Sequence, residues 1–407
     1  LVLDVATGKQ DTEGETTSLS LGGGDEARAL SVLVSLLGLG LLDNQVIAPV
    51  LPHIASTLGT SAGSIGRTVS GYAVAAAIAA LVVGPLSDRH GRKRFLVGAG
   101  VILTLGSFLV VLADDFATFA LARLITGAAA GIVSALVVAA IGDLVPYERR
   151  GRAMGWVAVA YFAAPILGVP VAATLADRFG WRVNYVGFAV LGVVIALAIA
   201  WWLREAGSTP PVARRRNYGK FFKSVSTAAG ACSAFFVTGG LTGFLLYLGA
   251  YLEGRFGLSV TQVGLVFLLA GASSLAGALA AGRIADRVGK VRVAVLGSVA
   301  LAACLIAVPF LSGFPLYGLL GLVGLAAAAR VAPLQSLVTE LVSQEERGAY
   351  VALRNTLSQG GNATAAAVGA ALYESSFDYV CWMTAGFSVA AVLLLLWIEE
   401  PKSIKGA

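Results

Sequence analysis

Runs of about 20 apolar residues, the length a helix needs to cross the hydrocarbon core of a bilayer, recur along this whole chain. Twelve can be drawn, at roughly 29–56, 64–86, 95–113, 116–142, 154–176, 183–203, 225–252, 260–282, 293–312, 316–342, 349–374 and 379–398. A backbone surrounded by lipid must satisfy its own hydrogen bonds, so runs of this length predict helices. Composition agrees. Of 407 residues 57% are hydrophobic and 13% charged, whereas a soluble domain carries about a quarter charged residues. The expectation is an all-α integral membrane protein. Residues 1–28, acidic and with a Gly22-Gly23-Gly24 run, read as a flexible N-terminal tail, and 399–407 as a C-terminal one.

Lysine and arginine gather in alternate connections. Eighteen lie in or beside the loops after the even-numbered runs and four by those after the odd-numbered ones. Basic loops stay cytoplasmic, so both tails are expected on the cytoplasmic side of a cell membrane, a bacterial plasma or inner membrane. The same distribution accounts for the net charge of +6 without a nucleic-acid partner. Segment 204–224, with Pro210, Pro211 and Arg214-Arg215-Arg216, reads as a cytoplasmic linker between six-helix bundles at 29–203 and 225–398.

The halves repeat. Gly84-Pro-Leu-Ser-Asp88-Arg89-His-Gly91-Arg92-Lys-Arg94 precedes Gly282-Arg-Ile-Ala-Asp286-Arg287-Val-Gly289-Lys290-Val-Arg292 by 198 residues. Leu144-Val145 with Arg150-Gly151 precedes Leu341-Val342 with Arg347-Gly348 by 197. A duplicated six-helix unit is the plan of many secondary transporters, with the site near the midplane between the halves.

The loop from Gly84 to Arg94 matches the G-x-L-x-D-R-x-G-R-K-R signature, and over residues 29–400 the chain resembles the major facilitator superfamily. Arg123 in Ala122-Arg123-Leu-Ile-Thr-Gly127 looks like its helix 4 motif. Ala164-Pro165-Ile-Leu-Gly168 and Phe179-Gly180-Trp181-Arg182 are similar to helix 5 and the loop after it in twelve-helix drug:proton antiporters, although Ala164 and Val169 stand where that signature has glycine. The resemblance implies two pseudo-symmetric six-helix bundles (the major facilitator fold), alternating access, and helices 1, 4, 7 and 10 around the cavity. It implies proton coupling at Arg123 beside helix 1. It also implies a gate at Gly84, Asp88, Arg89, Gly91 and Arg92 that latches helix 2 to helix 11 when the outside is open, with Asp286 and Arg287 in a degraded second copy.

Asp43 lies in mid-run between Leu41-Leu42 and Val46-Ile47. A carboxylate there costs about 2.5–3.5 kcal/mol on insertion scales, so it is expected to face a cavity or a partner. The repeat-equivalent position is Leu241; the fold itself does not demand an acid, and Asp43 is the candidate proton site. Arg330, three residues before Pro333, is a fixed cation at similar depth. It is expected to pair with Asp43, with an acidic substrate as the rival partner. Gln335, and Asn355, Gln359 and Asn362 on one face of the eleventh run, are candidates for the cavity or for interhelical hydrogen bonds. Tyr161, Phe236, Phe244, Tyr247 and Tyr251 are candidate aromatic walls for flat, lipophilic or cationic molecules.

No phosphate-cradling loop or metal-ligand spacing is found, and the chain has two histidines and three cysteines. An enzyme, a cofactor and a metal are not expected. The expected partners are a small-molecule substrate, protons and the lipid bilayer, for a protein acting as a monomer. The function expected is proton-driven export of lipophilic or cationic molecules. The alternatives are a symporter, an exporter of sugars, metabolites or lysolipids, and a non-transporting receptor or scaffold.

Overall fold

A computed structural model describes residues 23–145, 147–203, 218–343 and 346–400. Most of the expected N-terminal tail, residues 204–217 of the expected linker and residues 401–407 lie outside the described residues. The first half comprises α1 (Gly23–Gln45), α2 (Ile47–Thr57), α3 (Ala62–His90), α4 (Arg92–Val111), α5 (Phe116–Leu144), α6 (Tyr147–Ala163), α7 (Val169–Phe179) and α8 (Arg182–Trp202). The second comprises α9 (Val225–Phe256), α10 (Val260–Val288), α11 (Lys290–Ala307), α12 (Phe314–Glu340), α13 (Arg347–Ser375) and α14 (Phe377–Leu395). Among the described residues ten spans are long and apolar enough to cross a membrane, with α6–α7 as one of them, and α1–α2 form a bent eleventh. The remaining expected run, α13, carries Arg354 and three amide side chains, yet it packs along α3, α9 and α14.

Sequence duplication becomes structural duplication. Gly131 of α5 lies so close to α3 that a Cβ would collide with the Ala76 backbone, and Gly324 of α12 meets Ala270 of α10 in the same way. Small residues thus let the backbones of α3 and α5, and of α10 and α12, touch where lipid provides no hydrophobic drive. At the basic-loop end, Gly91 (φ 88°) and Gly289 (φ 110°) make the turns into α4 and α11, backbone angles that a side chain strains. Each turn is followed by a matched ion pair. Arg92 Nε lies 2.5 Å from Asp143, and Lys290 Nζ lies 2.5 Å from Glu340.

At the opposite end, α3, α5, α10 and α14 begin at Ser61, Asp115, Ser259 and Ser376, whose side chains cap free amides. Hydrogen bonds from the Thr118 hydroxyl and amide hold the Asp115 carboxyl below the usual carboxylate range. Arg182 donates to the Val111 and Ala113 carbonyls at the end of α4, and Trp181 donates to Thr57. The Trp181-Arg182 motif therefore staples three chain segments together.

Burial locates the cleft. One apolar cluster at the capped end runs through both halves, from Ile47 and Phe119 to Tyr251 and Phe377. Toward the basic loops it divides into a cluster within the first half and smaller ones within the second. The halves are sealed at the capped end and part toward the basic loops.

Gly131→Val should lower stability by about 1–3 kcal/mol or more, because the Ala76 backbone cannot yield. Gly142, with open space where a Cβ would stand, should accept alanine. Thermal unfolding of the two purified variants checks the contrast.

Candidate functional site

The first span breaks beside its acid. Pro49 has no amide to offer the Gln45 carbonyl and its ring crowds that oxygen, so the helix bends by 51° between α1 and α2. Below the bend α1 packs on α5 and α8 of its own half. Above it, α2 lies chiefly along α9 of the second half. Pro52 likewise removes a donor for the Ala48 carbonyl, and Gly249 of α9 approaches that carbonyl closely. Asp43 sits just below this joint.

Asp43 is fully buried, and its partner is Arg123 of α5, whose Nη1 lies 2.8 Å from Oδ2. Arg123 is also fully buried, donates to Thr126 Oγ1 at 3.3 Å and stands over the Tyr72 ring at 4.5 Å. Tyr72 in turn donates to the Gly40 carbonyl at 3.3 Å. The pair is incompletely satisfied. Asp43 Oδ1, Arg123 Nε and Nη2, Asn44 Oδ1 and the Tyr185 hydroxyl are buried with no hydrogen-bond partner. Two charges out of water are costly unless every lone pair and donor is used, and most buried polar atoms are paired. Such a constellation is poised to take up a proton or a polar ligand atom.

A widened helical turn at 164–168 joins α6 to α7 next to this joint. A Cβ on its Gly168 would strike Leu42, the neighbour of Asp43, while Ile166 packs against Gly271 of α10. The Ala164–Gly168 motif thus lies at mid-depth between the acid-bearing helix and the second half. Turns of this type concentrate at functional sites.

The expected Asp43–Arg330 pair is not formed. Arg330 turns into its own half, where it donates to the Val237 carbonyl of α9 at 2.5 Å and to Ser388 of α14 at 3.3 Å. It is fully buried beside the backbone of Gly297. Charge complementarity suggested the pair; the facing of α12 precludes it, and Arg123 already holds the acid.

The aromatic candidates are mostly packed in this conformation. Tyr247 stacks on Tyr373 at 5.0 Å, donates to the Ala366 carbonyl and presses on Gly66 of the first half. Tyr251 stacks on Phe377 at 4.3 Å, and Phe244 meets the same ring. Phe236 packs with Phe235 and Phe387. Tyr161 is exposed. Asn362 accepts from Thr242 and donates to Gln359, joining α9 to α13, whereas Asn355 and Gln335 are exposed.

The residues expected to form the gate lie at the parted end. Asp88 is 3.1 Å from Arg92, which also holds Asp143, so these ion pairs stay within the first half. Arg89, Asp286 and Arg287 are exposed, and Gly84 faces open space. The capped end is closed across the halves instead. Ser61 and Arg67 meet Glu374, His53 lies 3.6 Å from Glu253, and Thr261 donates to Asp177.

Sequence reasoning missed Tyr72, Thr126, Tyr185 and Arg354. Thr126 is signalled by its place one turn after Arg123. The tyrosines carry no spacing signal, and Arg354 reads as one more basic residue near a loop.

Residues 33–254 and 230–406 match the family profile described as Major Facilitator Superfamily. The MFS-type transporter YceJ of Bacillus subtilis (strain 168) is 25% identical over 88% of this chain and 93% of its own. Multidrug resistance protein 2 of the same strain is 22% identical over 91% of this chain and 94% of its own. Among solved structures, a bacterial homolog of the human lysosomal transporter Spinster, inward-facing and occupied, superposes with a TM-score of 0.77 at 16% identity, covering 92% of this chain and 97% of its own.

Removing one partner of a buried ion pair strands the other at a cost of about 3–5 kcal/mol. Arg123→Met should therefore unfold at a lower temperature than the double variant Asp43→Leu/Arg123→Met. Equal loss in the two would contradict direct coupling.

Proposed function

The chain belongs to the Major Facilitator Superfamily, and we propose that it is a proton-coupled transporter that exports lipophilic small molecules by alternating access. The observation that carries this is the buried Asp43–Arg123 pair, with its unused oxygen and donors, at the bend where the first span passes from one half to the other. Protonating Asp43 cancels its charge and weakens a charge-assisted hydrogen bond worth about 1.5–3 kcal/mol. Arg123 is then free to seek the Tyr185 hydroxyl or a ligand atom. Because α2 is fastened to α9, a change at the bend is transmitted to the seal between the halves.

The basic loops are assigned to the cytoplasm, which makes the parted end inward-facing. Lipophilic cargo enters the cleft from the cytoplasm or the inner leaflet. Proton entry from outside at Asp43 drives the return of the carrier. Support for export of drugs comes from the likeness to Multidrug resistance protein 2 and to the helix 5 motif of antiporters. No nucleotide is required, and the proton gradient supplies the work.

In proteoliposomes with an imposed pH gradient, Asp43→Asn should reduce proton-driven flux of a lipophilic dye to background while dye exchange without a gradient continues. Undiminished gradient-driven flux would remove Asp43 as the proton site. In intact cells, a thiol reagent that cannot cross the membrane should label a cysteine placed at Asp114 and not one placed at His90; the reverse would invert the assigned orientation.

A further inference from the structure

Buried charge in this protein is lopsided. Among the described residues the buried acidic and basic side chains are Asp43, Arg123, Arg330 and Arg354. Asp43 and Arg123 neutralise each other, and Arg330 is occupied by a carbonyl and a hydroxyl of its own half. Arg354 has neither arrangement. It is 9% exposed, its Nε is buried with no partner, and among the described residues no hydrogen bond or ion pair to its guanidinium is formed.

Its position is well defined. Arg354 lies about two turns into α13, on the side that faces α9. One turn before it, Tyr350 donates to the Thr227 carbonyl; one turn after it, the Ser358 carbonyl accepts from Thr238. Residues four apart share a face, so Arg354 stands in the α9–α13 seam between two fastened points. On the flank of this seam Asn355 is exposed, and Gln335 of α12 is exposed nearer the same end. Lipid does not solvate amides, so exposed polar side chains at that depth mark the cleft that opens where the halves part.

We propose that Arg354 is an anion subsite of the transport cleft, taking the carboxylate, sulfonate or phosphate group of an amphipathic molecule whose apolar body lies in the cleft. A guanidinium offers five donors in a planar fork that matches two oxygens of such a group, and it cannot shed its charge. The inference rests on the transporter function proposed above and narrows its cargo: uncompensated buried arginine repels cations and attracts lipophilic anions. The anionic group has two possible sources, a free amphipathic solute or the headgroup of an inner-leaflet lipid.

The test is equilibrium binding to the purified full-length protein in neutral detergent, with 2-naphthalenesulfonate and its uncharged sulfonamide as matched probes. The wild type should bind the sulfonate at least tenfold more tightly, and Arg354→Gln or Arg354→Met should erase that preference. Arg178→Gln, at an exposed arginine of the capped end, should keep it, and because the readout is equilibrium binding without a pH gradient, failure of this site is distinguishable from failure of proton coupling. Phenylglyoxal labelling of Arg354 in the wild type, read by peptide mass spectrometry, needs no variant; the sulfonate should protect Arg354 and the sulfonamide should not. Phosphatidylglycerol that displaces the sulfonate assigns the site to a lipid headgroup, and phosphatidylglycerol that fails to displace it assigns the site to a free anion. No preference for the sulfonate in the wild type, preference retained in both variants, or equal labelling with and without the sulfonate would overturn the assignment.

Discussion

A carboxylate and a guanidinium held together away from water govern the first half of this molecule. Neither Asp43 nor Arg123 is tolerable alone at that depth, so α1 and α5 must present them to each other at 2.8 Å. Close packing of α5 on α3 at Gly127 and Gly131 brings the Tyr72 ring under the guanidinium. The remaining donors and the free oxygen are left unmatched. A fully satisfied pair would be a strut; this one has spare valence, which suits a group that exchanges a proton.

The bend gives the pair mechanical reach. Proline at 49 divides one span into a lower part that belongs to the first half and an upper part that belongs to the seal. The seal combines an apolar cluster shared by both halves with polar contacts at its rim, such as Glu374 with Ser61 and Arg67. Rim contacts of exposed charges contribute little each, so the shared apolar cluster dominates closure. Opening that end means separating packed surfaces such as Tyr247 on Gly66, and a switch worth a few kcal/mol at the bend is of the size needed to bias two balanced arrangements.

Much of the fold was legible in the sequence because lipid imposes a simple rule on length and polarity. The spans, the duplicated loop and the basic-residue asymmetry all follow from it. The matched pairs Arg92–Asp143 and Lys290–Glu340 were implicit in the duplication, since their members lie 198 and 197 residues apart. Asp43 was legible as an isolated acid in an apolar run. Its partner was not, because choosing between Arg123 and Arg330 depends on which way each helix faces. The aromatics show the same limit: Tyr251 and Phe377 are distant in sequence, and only packing reveals that they stack. Arg354 was hidden by its nearness to a basic loop, where a topogenic charge is the ordinary expectation.

In the proposed mechanism the charge state of Asp43 sets whether the capped end is closed. Double electron–electron resonance between spin labels at Ala117 and Ser312, in a protein whose three native cysteines are replaced by alanine, reads that end directly. In Asp43→Asn, which mimics the protonated acid that returns the carrier to its inward-facing form, the distance distribution should shift toward shorter separations than in the parent protein. Superimposable distributions for the parent and Asp43→Asn would contradict the claim.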